Sequence, residues 1–185
     1  MAKRKDGRKH LLITSMGTDR VGIVEEISEW IFQNGGNIEE SRMSRLGAEF
    51  ASLILVSGDS GLENRLEKTR DTFQDTHNLS VLIKPVHPSP PTPKTPLLRY
   101  TLHATSLDHP GIVHQVTKLL RQRSINIASA TTRTTLAPFS GTSVFHFHME
   151  IDIPAEVSIN KLRTELSELG EQDKIDFVLT AVTEE

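Results

Sequence analysis

Apolar positions along this chain switch between two periods, and the switching is written twice. Residues 10–16, His-Leu-Leu-Ile-Thr-Ser-Met, read as a short buried strand that enters a Gly17-Thr18-Asp19 loop. From about residue 20 to 34 the period lengthens. Ile23, Ile27, Trp30 and Ile31 recur at i, i+4, i+7 and i+8, the buried stripe of an amphipathic helix, and Gly35-Gly36 supplies its stop. Residues 37–46 read as a strand with a polar face, Gly47 as a tight turn, and 49–57 as a central buried strand. After the break at Gly58-Asp59-Ser60-Gly61, a second helix reaches about His77 with Leu62, Leu66, Thr69 and Phe73 on one side. Residues 79–86 close the unit as a strand with Leu79, Val81 and Ile83 pointing inward.

The same scheme returns farther on: strand 98–106, helix 109–123, strand 125–135, strand 142–152, helix 157–169 and strand 174–182. Asp19-Arg20-Val21-Gly22-Ile23-Val24 reappears as Asp108-His109-Pro110-Gly111-Ile112-Val113, displaced by 89 residues. That displacement also carries Asn37-Ile38 onto Asn126-Ile127, with seven identities in the window of twenty. The helical stripe keeps step as Ile112, Val116, Leu119 and Leu120. The order βαββαβ predicts a ferredoxin-like α+β fold in each copy: a four-stranded antiparallel sheet, strands one and three central, both helices on one face. The second copy departs at residues 136–142, Leu-Ala-Pro-Phe-Ser-Gly-Thr, a longer hairpin loop in which Phe139 is expected to tuck back as a packing plug rather than stand out as a lid.

Between the copies, residues 87–97 hold five prolines and read as a stiff linker of roughly 30 Å at about 3.1 Å per residue. The expected layout is a basic tail at 1–9, one unit at 10–86, the linker, and a second unit at 98–185. Units this small often gain stability by pairing, so a homo-oligomer is expected. A net charge of −3 and a pI of about 6.2 leave no electrostatic footprint for wrapping nucleic acid, and the one basic cluster reads as a solvated tail. The chain has no cysteine, hence no thiol nucleophile, disulfide or thiolate metal site, which fits a reducing cytosol. No apolar run follows the tail, so neither a signal peptide nor a membrane helix is expected.

The repeated stretch carries the candidate chemistry. A loop running from a strand into a helix offers free N–H groups and the positive end of the helix dipole, a seat for a carboxylate. Gly22 and Gly111 let the backbone come close to a ligand or strand, where a Cβ is expected to collide. Asp19 and Asp108 stand where they can cap the helix or accept from an amine. Asn37 and Asn126 open strand two with both a donor and an acceptor. Together these groups are expected to form a zwitterion-sized pocket at the edge of each sheet. The alternative is structural: caps, packing points and turn formers, repeated because the fold is repeated.

Asp-Arg-Val-Gly-Ile-Val and Asp-His-Pro-Gly-Ile-Val, each followed after a helix by Asn-Ile, resemble the signature of the ACT domain. The resemblance covers both copies and implies a regulatory module that binds amino acids or related small ligands. A stand-alone tandem pair with this motif is most similar to the group of ACT regulators that repress the glycine cleavage system. Ligand contacts in amino-acid-binding members fall on Asp19, Gly22 and Asn37, and on Asp108, Gly111 and Asn126, with Arg20, Ile23, Ile38, His109, Ile112 and Ile127 beside them. Val21 departs from the family proline, and Gly17 and Ser106 stand where some amino-acid binders carry histidine, which leaves the ligand open.

Three other readings compete. His103, His146, His148 and Glu150 fall on one face of the second copy's strands. That composition suits zinc, a pH-sensitive interface, or simply a polar face later covered by another domain, the reading preferred here. Catalysis finds no nucleophile elbow, P-loop or His-Glu-x-x-His. Deformylases acting on formyltetrahydrofolate begin with a similar ACT segment but need a large further domain. RNA recognition on the same topology needs stacking aromatics with basic residues, whereas Phe50 stands with no basic neighbour in its strand and Phe145 and Phe147 alternate with histidines. The expectation is therefore a cytoplasmic, non-catalytic sensor with no cofactor. It binds a small amino acid such as glycine where two units meet, and acts through a partner transcription factor, since no helix-turn-helix is visible. A ligand-free scaffold of the same fold is the alternative.

Overall fold

The computed structural model describes residues 8–87 and 96–182; most of the basic tail and most of the proline-rich linker lie outside the described residues. The chain divides into two units. The first runs β1 (Lys9–Thr18), α1 (Ile23–Gln33), β2 (Asn37–Leu46), β3 (Glu49–Gly58), α2 (Leu62–His77) and β4 (Ser80–Pro85). The second runs β5 (Leu97–Leu107), α3 (Ile112–Gln122), β6 (Asn126–Leu136), β7 (Ser143–Pro154), α4 (Ile159–Asp173) and β8 (Ile175–Ala181). Each forms a four-stranded antiparallel sheet, ordered β2-β3-β1-β4 and β6-β7-β5-β8, so the first and third strands are central.

Alternation along the strands decides which face is covered. In the first unit Leu11, Ile13, Ile54, Val56, Val81 and Ile83 point to the helices and meet Ile23, Ile27, Trp30, Ile31, Leu62, Leu66 and Phe73 in one core. The second core repeats it with Leu102, Ala104, Phe147, Met149, Ile151 and Leu179 under Ile112, Val116, Leu120, Leu162 and Leu166. A register shift recurs at matching places, between Ile38 and Glu40 and between Ile127 and Ser129.

Several details differ from the sequence expectation. Helices α1 and α3 begin three residues later, because β1 continues through Thr18 and Gly22 and Gly111 take φ of 94° and 101° at the N-cap. That left-handed conformation costs an L-residue about 1–2 kcal/mol, so glycine is needed for its backbone. The expected Cβ collision is corrected: a Cβ at Gly22 meets only Glu26 Oε1 at 3.7 Å, and one at Gly111 meets nothing within 4 Å. Helix α4 runs past residue 169 to Asp173, with its left-handed cap at Lys174. Gly170 lies inside α4, where a Cβ would lie 2.5 Å from the Ile175 carbonyl oxygen, so glycine serves close packing. Phe139 is a further correction: it is fully exposed at the hairpin tip, in a turn closed by the Gly141 N–H donating to the Ala137 carbonyl at 2.9 Å.

The two copies tie their helices together by different chemistry at equivalent positions. In the first, the buried Asn34 donates from Nδ2 to the Trp30 carbonyl at 2.8 Å, its own carbonyl accepts from Arg65 Nε at 2.8 Å, and Trp30 Nε1 donates to Thr69 at 2.9 Å. In the second, the positions matching Asn34 and Thr69 hold Arg123 and Glu165, an ion pair with Nε to Oε2 at 2.7 Å. Asn34→Ala is expected to destabilise the first unit by about 1–2 kcal/mol, the cost of stranding a buried hydrogen-bond network. Urea unfolding followed by Trp30 fluorescence measures it, since Trp30 is the one tryptophan in the chain. A shift within error would show that the network contributes nothing.

Candidate functional site

The strand-to-helix loops lie at one end of each sheet. The Asp19 N–H donates to the Ala48 carbonyl at 2.8 Å, and the Asp108 N–H to the Ser143 carbonyl at 3.0 Å, which ties each loop to the following hairpin. Neither aspartate caps its helix, because Gly22 and Gly111 occupy the N-caps and no side chain accepts there. This corrects the expected capping role. The Asp19 carboxylate instead faces Arg45 at 3.7 Å. Without a side-chain cap, the first N–H groups of α1 and α3 lack an intrahelical acceptor.

Ile23 and Ile112 are buried core anchors rather than pocket walls, and Ile127 packs against the second core. Asn37 and Asn126 do begin β2 and β6, but at the other end of the sheet. Thr18 pairs with Glu49 while Asn37 pairs with Ser57, eight residues along β3, about 27 Å at strand rise. No unit therefore assembles loop and asparagine into one pocket of its own. Ile38 stands partly exposed beside Asn37. Asn126 is already engaged: its Nδ2 donates to Asp152 Oδ2 at 3.4 Å, and Asp152 Oδ1 accepts from Arg99 Nε at 3.1 Å.

What the loops do adjoin is the end of the second helix, and here the copies diverge. In the first unit Arg20 reaches over α1 and donates to both carboxylate oxygens of Glu26 at 2.6 and 2.5 Å, and to the His77 carbonyl at 3.2 Å. His77 Nδ1 lies 2.8 Å from Glu26 Oε2. The corner is filled by its own charges. The Arg20 hydrogen bonds hold the Glu26 carboxyl below its ordinary range, aided by Coulomb attraction to Arg20 and by His77, against a smaller opposing effect of desolvation. Glu26 raises the guanidinium in turn. A carboxylate with a depressed folded-state value contributes stability that is present above the ordinary carboxylate range and lost as pH falls through the depressed value. Acidification is thus expected to release Arg20 only below the ordinary glutamate range, and the Glu26 carboxyl-carbon NMR titration checks it; a midpoint in the ordinary glutamate range would contradict the bridge.

In the second unit the matching residues are His109, Gln115 and Asp173. His109 turns away, with Nδ1–H donating to the Pro110 carbonyl at 3.2 Å. Gln115 Oε1 and Asp173 Oδ2 are left buried without a hydrogen-bond partner among the described residues. Sequence reading missed Gln115, Asp173, Glu26 and His77. The displacement between copies is 89 through the first helix but 96 at the matching caps Asn78 and Lys174, because the longer hairpin intervenes. A single-offset comparison passes over the second helix.

Comparison with known proteins places the fold. A profile of the ACT domain matches residues 9–84, and a second ACT-domain profile matches residues 101–167. The glycine cleavage system transcriptional repressor of Escherichia coli strain K12 is 28% identical over 177 residues, 91% of each chain. A crystal structure of an unknown protein from Galdieria sulphuraria superposes with a TM-score of 0.79 at 27% identity, over 95% of this chain and 99% of that one. A second crystal structure, provisionally assigned as a glycine cleavage system transcriptional repressor, gives a TM-score of 0.68 at 28% identity over 96% and 99% of the two chains.

Proposed function

The chain belongs to the ACT-domain family as two tandem copies, and from that premise we propose that it is a non-catalytic, amino-acid-sensing regulator of transcription. Its relationship to a glycine cleavage repressor makes glycine or a similarly small amino acid the ligand class. One observation carries the reading: α3 has an uncapped N-terminus, and Gln115 Oε1 and Asp173 Oδ2, at the positions matching Glu26 and His77 of the first unit, are buried without a partner. A zwitterion matches that pairing. Its carboxylate takes the free N–H groups of α3, and its ammonium satisfies Gln115 Oε1 and Asp173 Oδ2. The first unit's equivalent corner is closed by Arg20, Glu26 and His77. That closure favours a second role for that copy, as a ligand-free scaffold.

Regulation passes through a partner protein, a transcription factor, rather than through direct nucleic-acid binding. Around each loop end stand exposed apolar side chains: Met16, Val21, Val24 and Leu46 in the first unit, Leu107, Val113, Leu136 and Phe139 in the second. Such groups favour docking of another protein surface. A bound amino acid shifts the population toward the arrangement it bridges, and so changes that docking. In a homo-oligomer, the asparagine of another chain is what would reach a loop. Thermal melting of the full chain against a panel of free amino acids tests the proposal. One small amino acid should raise the melting temperature, and a flat panel would favour the scaffold reading for both copies.

A further inference from the structure

We propose that the outer sheet face of the second unit carries a transition-metal site built on His103 and His148, with His146 as third ligand. The β5–β7 register sets His103 directly opposite His148, and His146 stands two residues from His148, hence on the same face. The rings of the facing pair already touch, with centroids 4.3 Å apart and His148 Nδ1 at 3.2 and 3.1 Å from the two ring nitrogens of His103. Two imidazole nitrogens on one tetrahedral zinc, each about 2.0–2.1 Å from it, stand about 3.3 Å apart. The pair is therefore at chelating separation, and rotation of the rings without backbone movement aims both lone pairs at one ion.

A shallow depression of about 280 Å³ opens over the pair, lined by His103, Thr105, Thr131, Arg133, His146 and His148. Among the described residues no three ligating groups yet converge. His146 shares a hydrogen bond of 3.0 Å between Nε2 and the Thr135 hydroxyl, and turning toward the pair exchanges that one bond for a metal bond. Three neutral imidazoles with an open fourth position select zinc, copper or nickel over the oxygen-seeking calcium and magnesium. Arg133, opposite His146, puts a cation at the rim, where it holds an anion in the fourth position. The site is independent of the amino-acid seat, which lies at the loop end.

The test is calorimetric titration of the full chain, purified without a histidine tag and stripped with chelator, using zinc chloride at neutral pH. The expected result is one ion per chain, with affinity falling at least about tenfold in His103→Ala and in His148→Ala, less in His146→Ala, and not in His114→Ala. Acidification should abolish binding, because the imidazoles must be neutral to ligate. These side chains point away from the core, so circular dichroism should show the variants folded. Heat that persists unchanged in the double variant His103→Ala/His148→Ala, or no binding up to millimolar zinc, would overturn the proposal.

Discussion

Leu102→Ala is expected to cost the second unit about 2–5 kcal/mol, the largest effect of any single substitution considered. Leu102 is completely buried on β5, the strand between β7 and β8, where it stands opposite Met149 and Leu179. Removing its side chain loses transfer free energy and leaves a cavity that two hydrogen-bonded neighbouring strands cannot easily collapse. A unit of this size holds only about 0.05–0.15 kcal/mol per residue, so the loss takes a large share of its stability. Tyr100 is the one tyrosine in the chain, packs against the same core, and reports this unit in urea. Leu98→Ala, on the same strand but 42% exposed, is the control and should change stability by less than about 0.5 kcal/mol. Equal midpoints for the two variants would mean that burial does not rank these positions.

That contrast also marks what sequence patterning can and cannot read. The i, i+4, i+7, i+8 stripe of Ile23, Ile27, Trp30 and Ile31 was legible because burial against a sheet imposes it, and all four are buried. Strand pairing at the centre was legible because βαββαβ admits few alternatives. Positive φ at Gly22 has no signature in hydrophobic periodicity, so periodicity puts the helix start three residues early. The end of α4 is likewise unmarked, since the sequence does not show the Ile175 carbonyl packed against Gly170. Phe139 is apolar, and hydrophobicity carries no direction at a hairpin tip. The pocket joining Asp19 to Asn37 fails for a topological reason. A crossover helix carries the chain back along the sheet, so the loop before α1 and the strand after it begin at opposite ends. The corner that does form, at positions 20, 26 and 77, needs the end of α2 brought to the start of α1, a tertiary fact. What betrays it in the second copy is a pair of buried acceptors left without donors.

Those acceptors make the other large effect specific. At a free concentration one hundred times its dissociation constant, the amino acid ligand is expected to add about 2.7 kcal/mol to the second unit, a rise of several degrees in a domain of this size. Asp173→Asn should remove about half of that gain or more. It converts a carboxylate acceptor into a neutral amide, and a hydrogen bond between charged partners is worth about 1.5–3 kcal/mol, so affinity falls about ten- to hundredfold. The unliganded variant should melt at or slightly above the native temperature, because the change relieves a buried, unpartnered Asp173 Oδ2. Opposite signs for the free and liganded protein separate a ligand seat from a structural role, which would lower stability in both. Acetylating the ligand's amine should have the same effect as Asp173→Asn, since either change removes one half of the ammonium–carboxylate contact. Arg20 sits beyond this effect: it fills the matching corner of the first unit from within, so Arg20→Ala should leave the ligand response of Tyr100 intact. An undiminished response in Asp173→Asn would move the seat away from α4, and the free N–H groups of α3 would then have to hold the ligand without a fixed partner for its amine.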